Sequence, residues 1–67
     1  MMRKKLLITA INSEKFNKII NILNENKIPF TYKQDILTES ISRTTFKWDF
    51  YVQCDYYDYA SHLLHGI

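Results

Sequence analysis

The stretch Thr45-Phe46-Lys47-Trp48-Asp49-Phe50-Tyr51-Val52-Gln53-Cys54 decides the fold. Phe46, Trp48, Phe50, Val52 and Cys54 alternate with Lys47, Asp49, Tyr51 and Gln53, the period of two that sends successive side chains to opposite faces of a sheet. This predicts a strand with one apolar face in a firmly fixed register, because a slip by one residue would turn every aromatic toward water. Cys54, at the end of the run, is expected to face inward as a buried structural thiol.

Upstream, Phe30-Thr31-Tyr32-Lys33-Gln34 alternates in the same way and predicts a second half-buried strand. Residues 35 to 44 are too many for a two-residue hairpin turn and contain no Asn-Gly or Asp-Gly, so an extended, solvent-exposed loop is expected there. Before these, Phe16, Ile19, Ile20 and Leu23 recur at i, i+3, i+4 and i+7, the apolar stripe of a helix spanning residues 13 to 27. Asn12 or Ser13 caps its start, Ile11 and Phe16 occupy the positions of a hydrophobic staple, and Pro29 ends helical geometry near Asn26 or Lys27. The apolar, partly β-branched residues 4 to 11 precede the cap and read as the first strand. Downstream, Asp55 with Asp58 three positions on suggests a cap. Tyr56, Tyr59, Ala60, Leu63 and Leu64 form a second helical stripe, and Gly66 before Ile67 resembles a helix C-cap.

The predicted order is strand, helix, strand, strand, helix, an α+β chain. A right-handed crossover between the first two strands leaves room for the third between them, antiparallel to both, with sheet order 1-3-2. The expected fold is a split β-α-β sandwich, a ferredoxin-like domain without its final strand, formed by residues 1–67 as a single domain. Such a sheet has an unpaired edge on strand one. Leu7 and Ile11, if turned away from the first helix, add apolar surface there, and they are the expected oligomer edge.

At 67 residues, a chain buries roughly 60% of the surface it exposes when unfolded, a thin margin that commonly draws on disulfides, metals or oligomerisation. One cysteine cannot form an internal bridge and suits a reducing, cytoplasmic setting. The basic start Arg3-Lys4-Lys5 before Leu6-Leu7-Ile8 imitates a signal peptide, but Thr9 and Asn12 break the apolar run and no small-residue cleavage site follows. No apolar stretch approaches the length of a membrane span. The net charge of +2 is scattered apart from residues 3 to 5, so charge does not demand nucleic acid. A single glycine excludes a phosphate-cradling loop, and nothing calls for a cofactor.

Lys5-Leu6-Leu7-Ile8-Thr9-Ala10 leading into a capped helix, Lys27-Ile28-Pro29-Phe30 at its exit, and Phe50-Tyr51-Val52 running to an acidic cap and Tyr59-Ala60 form a pattern. It resembles the small signal-transducing domains similar to the PII-type nitrogen regulators. The resemblance implies a homo-oligomeric regulatory or ligand-sensing module, with the connection between strands two and three as a contact element. That connection carries no nucleotide-binding motif.

Candidate sites follow from side-chain chemistry. Thr38, Ser40, Ser42, Arg43 and Thr44 could bind an anion or a partner, since Arg43 offers a charged fork and the hydroxyls offer donors. Asp58, His62 and His65 fall at helical spacing and form an alternative metal set, against which stands an ordinary solvated helix face. Tyr56, Tyr57 and Tyr59 invite base stacking, yet only Tyr51, with Lys47, is expected on the outer sheet face, and the RNA-binding strand motif is absent. No histidine stands at a spacing that implies a catalytic pair. The leading expectation is a non-enzymatic regulatory or interaction module that self-associates, most simply as a dimer, and meets an unidentified protein or small molecule. Metal binding and single-stranded RNA binding are the alternatives.

Overall fold

The computed structural model describes residues 3–39 and 44–67, with the backbone alone for residues 38 and 39. The elements are β1 (Lys4–Ala10), α1 (Ser13–Glu25), β2 (Phe30–Glu39), β3 (Thr44–Gln53) and α2 (Cys54–Leu63). The strands form a three-stranded sheet of order β1-β3-β2, and β3 is antiparallel to both neighbours. The α+β class and the strand order are those the alternating pattern predicts.

Helix α1 begins where the sequence places its cap. Asn12 is extended, and its Oδ1 accepts a hydrogen bond from the Lys15 N–H at 2.7 Å, satisfying one of the free donors of the first turn. The regular helix ends at Glu25, two residues before the expected limit, and closes in a Schellman arrangement: the Ile28 N–H donates to the Leu23 carbonyl at 2.9 Å and the Lys27 N–H to the Asn24 carbonyl at 3.1 Å. Lys27 takes φ 55, the left-handed position that glycine usually fills.

Ile19 and Leu23 on α1 are fully buried, and they join Ala10, Ile28, Phe50, Val52, Ala60 and Leu64 in one apolar core. Phe16 anchors the helix to the sheet, its ring centroid 4.8 Å from Trp48, 5.5 Å from Phe50 and 5.1 Å from Tyr32. Tyr32 lies opposite Phe50 and Phe30 opposite Val52 across the ladder, so these rings share the face that the helix covers. Helix α2 packs on the same face: Lys5 lies opposite Val52, and its ammonium stands 4.1 Å above the Tyr57 ring.

Four expectations are corrected. The expected loop over residues 35 to 44 is largely strand: β2 runs to Glu39 and β3 starts at Thr44, with Asp35 opposite Lys47, Ile36 opposite Phe46 and Glu39 opposite Thr44. Opposite charges and apolar partners face each other along this extension, and a bulge at Leu37 absorbs the residue that breaks the alternation. Cys54 is not the inward-facing end of β3. The Cys54 N–H donates to the Arg3 carbonyl at 2.9 Å and the chain turns directly into α2, which leaves the thiol exposed in the first helical turn. Asp55 accordingly sits inside the first turn, and Gln53 occupies the cap position without a side-chain bond. The cap at the other end is Leu64; Gly66, with φ 92, lies beyond it.

Candidate interaction surface

β2 and β3 outrun the helices. Past Gln34 and Trp48, the last pair whose face Phe16 reaches, the helix-side face continues with Ile36 opposite Phe46, forming a two-stranded arm. Every residue from Thr31 to Leu37 is exposed, and among the described residues β2 has no strand on its other side. Among the described residues, three of the eight exposed large apolar side chains, Ile36, Leu37 and Phe46, belong to this arm, and a fourth, Tyr32, stands at its root beside Phe16. A free strand edge beside uncovered apolar side chains is the combination that pairs with another chain.

The opposite face of the sheet carries neither helix and is polar. Thr9 Oγ1 donates to Asp49 Oδ1 at 2.7 Å, Lys47 Nζ stands 3.8 Å from Asp49 Oδ2, and Lys4 Nζ reaches Thr31 Oγ1 at 3.5 Å. Tyr51 and Lys47 occupy this face as expected, with the Lys47 charge turned toward Asp49 rather than presented outward. Two hollows on the described surface measure about 130 Å³, between Lys4, Thr31, Tyr51 and Gln53, and about 190 Å³, beside Asn12, Lys18 and Ile67. Both are smaller than the roughly 300–1,000 Å³ typical of small-molecule sites.

The predicted residues are distributed as follows. Thr38 lies within β2, paired with Thr45, and Thr44 is exposed at the start of β3, so both belong to the far part of the arm. Ser40, Ser42 and Arg43 lie outside the described residues. Leu7 occupies the bulge of β1 and packs against the core, so it does not form an apolar edge with Ile11, which is 55% exposed. The outward apolar residue of β1 is Leu6 instead, opposite Tyr51. Asp58 and His62 are exposed on α2 and His65 is exposed beyond its end. Among the described residues no three His, Cys, Asp or Glu side chains come close enough to hold a metal ion, so this set is not brought together.

The α2 tyrosines have structural partners that local sequence does not signal. Tyr56 packs against the core, Tyr57 lies under Lys5, and the Tyr59 hydroxyl donates to Asn26 Oδ1 at 3.2 Å. The Asn26 amide in turn donates to the Ile22 carbonyl at 2.8 Å, so Tyr59 links α2 to the end of α1. Compared with known proteins, the chain matches no family model, no curated protein and no solved structure.

Proposed function

We propose that this chain is a non-enzymatic interaction module that self-associates and acts through the β2–β3 arm. The observation that carries the reading is the unbroken exposure of Thr31 to Leu37 along a strand edge with no neighbour among the described residues, flanked by Tyr32, Ile36 and Phe46. The contact element that the resemblance to PII-like signal-transducing domains implies is the connection between β2 and β3, which lies outside the described residues, so the reading rests on the strands that lead to it. In this reading the architecture is a ferredoxin-like domain lacking its last strand, which would have paired with β1, and association uses the opposite edge of the sheet, β2. No helix among the described residues is long and apolar enough to cross a membrane, and a lone exposed thiol at Cys54 suits a reducing, cytoplasmic setting.

Sedimentation velocity over a concentration series tests the proposal. A dimer forming within the micromolar range is the expected result. A monomer persisting to high micromolar concentration overturns it.

A further inference from the structure

The centre of β2 is chemically self-complementary. Outward from Gln34 the neighbours are Lys33 on one side and Asp35 on the other, then Tyr32 and Ile36. When two copies of this strand pair antiparallel about a two-fold axis at Gln34, Lys33 falls opposite Asp35 of the second copy and Tyr32 opposite Ile36 of the second copy, each pairing occurring twice. The alternation then sorts the contacts by face. Tyr32, Gln34 and Ile36 lie on the helix side with Phe50, Trp48 and Phe46, whereas Lys33 and Asp35 lie on the polar side with Asp49 and Lys47. Apolar pairs form on one surface of the joined sheet and ion pairs on the other.

The other sheet edge is a poorer candidate. β1 is interrupted by the bulge at Leu7, packs Leu7 into the core and begins with the cations Arg3, Lys4 and Lys5, all features that blunt an edge. β2 pairs regularly from Phe30 to Ile36 and has its bulge only at Leu37. The Ile36 N–H is met by Asp35 Oδ1 at 2.8 Å, which leaves Oδ2 for a cation.

The chain is more extended than a compact fold of its mass. It exposes 5168 Å², whereas a compact folded chain of 8.1 kDa exposes about 4,500 Å². The Cα radius of gyration of 12.9 Å, against about 11 Å for a compact chain of this length, shows the same extension.

We infer that, given the self-association proposed for this chain, a second copy docks on the free edge of β2 in the register centred on Gln34. The two three-stranded sheets then become one continuous sheet with all the helices on one side. The specificity lies in the Lys33–Asp35 pairs, because a shift by two residues would lose both of them along with the Tyr32–Ile36 contacts.

Charge exchange at these two positions tests the register, with sedimentation equilibrium at low ionic strength as the readout and circular dichroism as the check on folding. Both residues are exposed, and each also faces an opposite charge on β3, Lys33 opposite Asp49 and Asp35 opposite Lys47; the double exchange does not relieve that cost within the chain, so a recovery of the dimer reads the contact between copies. Lys33→Asp alone and Asp35→Lys alone each set like charges opposite one another twice, and each is expected to weaken the dimer about tenfold, while the double exchange restores it to within about threefold of the native chain. Singles as tight as the native chain, or a double exchange as weak as the singles, overturn the register while leaving self-association standing. A native chain that stays monomeric overturns both. As a second readout, Gln34→Cys in a Cys54→Ser background is expected to give a covalent dimer on oxidation, since the paired Cα atoms lie about 4.5–5.5 Å apart. Lys33→Cys in the same background is not expected to do so, and equal yields at the two positions, or none at 34, contradict the inference.

Discussion

The same two strands carry the same alternation through two regions with opposite fates. In the half of the sheet beneath the helices, Phe50 and Val52 are 0% and 1% exposed and Phe16 stacks into their face. In the arm, Phe46 and Ile36 hold equivalent positions on that face and are 38% and 48% exposed. Alternation therefore specifies which face is apolar and not whether anything covers it. Coverage is limited by where α1 begins: the Asn12 cap starts the helix at Ser13, Phe16 in its first turn reaches only as far as Trp48, and the strands run on past that end. The covered half holds the fold, and the arm is left available for association.

The largest effect should separate the two regions directly. Phe50→Ala removes the largest fully buried side chain and is expected to cost about 3–5 kcal/mol in urea unfolding, enough to unfold much of a small domain. Phe46→Ala on the same strand and face is expected to cost about 1 kcal/mol or less at a protein concentration low enough to keep the chain monomeric. Equal losses at the two positions would break the comparison, because the arm would then be core.

How far the sequence discloses this division depends on how local the signal is. The apolar face of β3 is readable because Phe46 to Val52 alternate without interruption, and α1 is readable because Asn12 and the Phe16, Ile19, Ile20, Leu23 stripe agree. The continuation of β2 is hidden by the doublet Ile36-Leu37, which resembles a lapse of alternation and is in fact a bulge. Cys54 is misplaced by periodicity because a strand can pass into a helix with no spacer, and the Arg3 carbonyl that receives its N–H lies at the far end of the chain. The Lys5–Tyr57 and Tyr59–Asn26 contacts join distant segments and leave no local trace. Of the candidate residues, Thr38 and Thr44 fall in the paired strands rather than in a loop, and Leu7 is claimed by the core. The complementarity of Tyr32 to Ile36 is written plainly in the sequence, but it acquires meaning only once β2 is known to be an edge.

A smaller effect belongs to the covered half, at the other end of α1. Lys27 holds a left-handed backbone at φ 55, and Lys27→Gly is expected to stabilise the monomer by about 0.5–1 kcal/mol, the relief of strain being partly offset by the greater freedom of glycine in the unfolded chain. Thermal or urea unfolding reads this out. A loss of stability would mean that the Lys27 side chain contributes more to the helix end than its backbone costs.

The most direct test of the arm as an association surface is amide hydrogen exchange of Thr31–Leu37 measured over a range of chain concentrations. The account predicts that amides of this segment directed away from β3 become protected as concentration rises, while those of β1 do not change. Exchange that is independent of concentration along β2, or protection that grows along β1 instead, would contradict it.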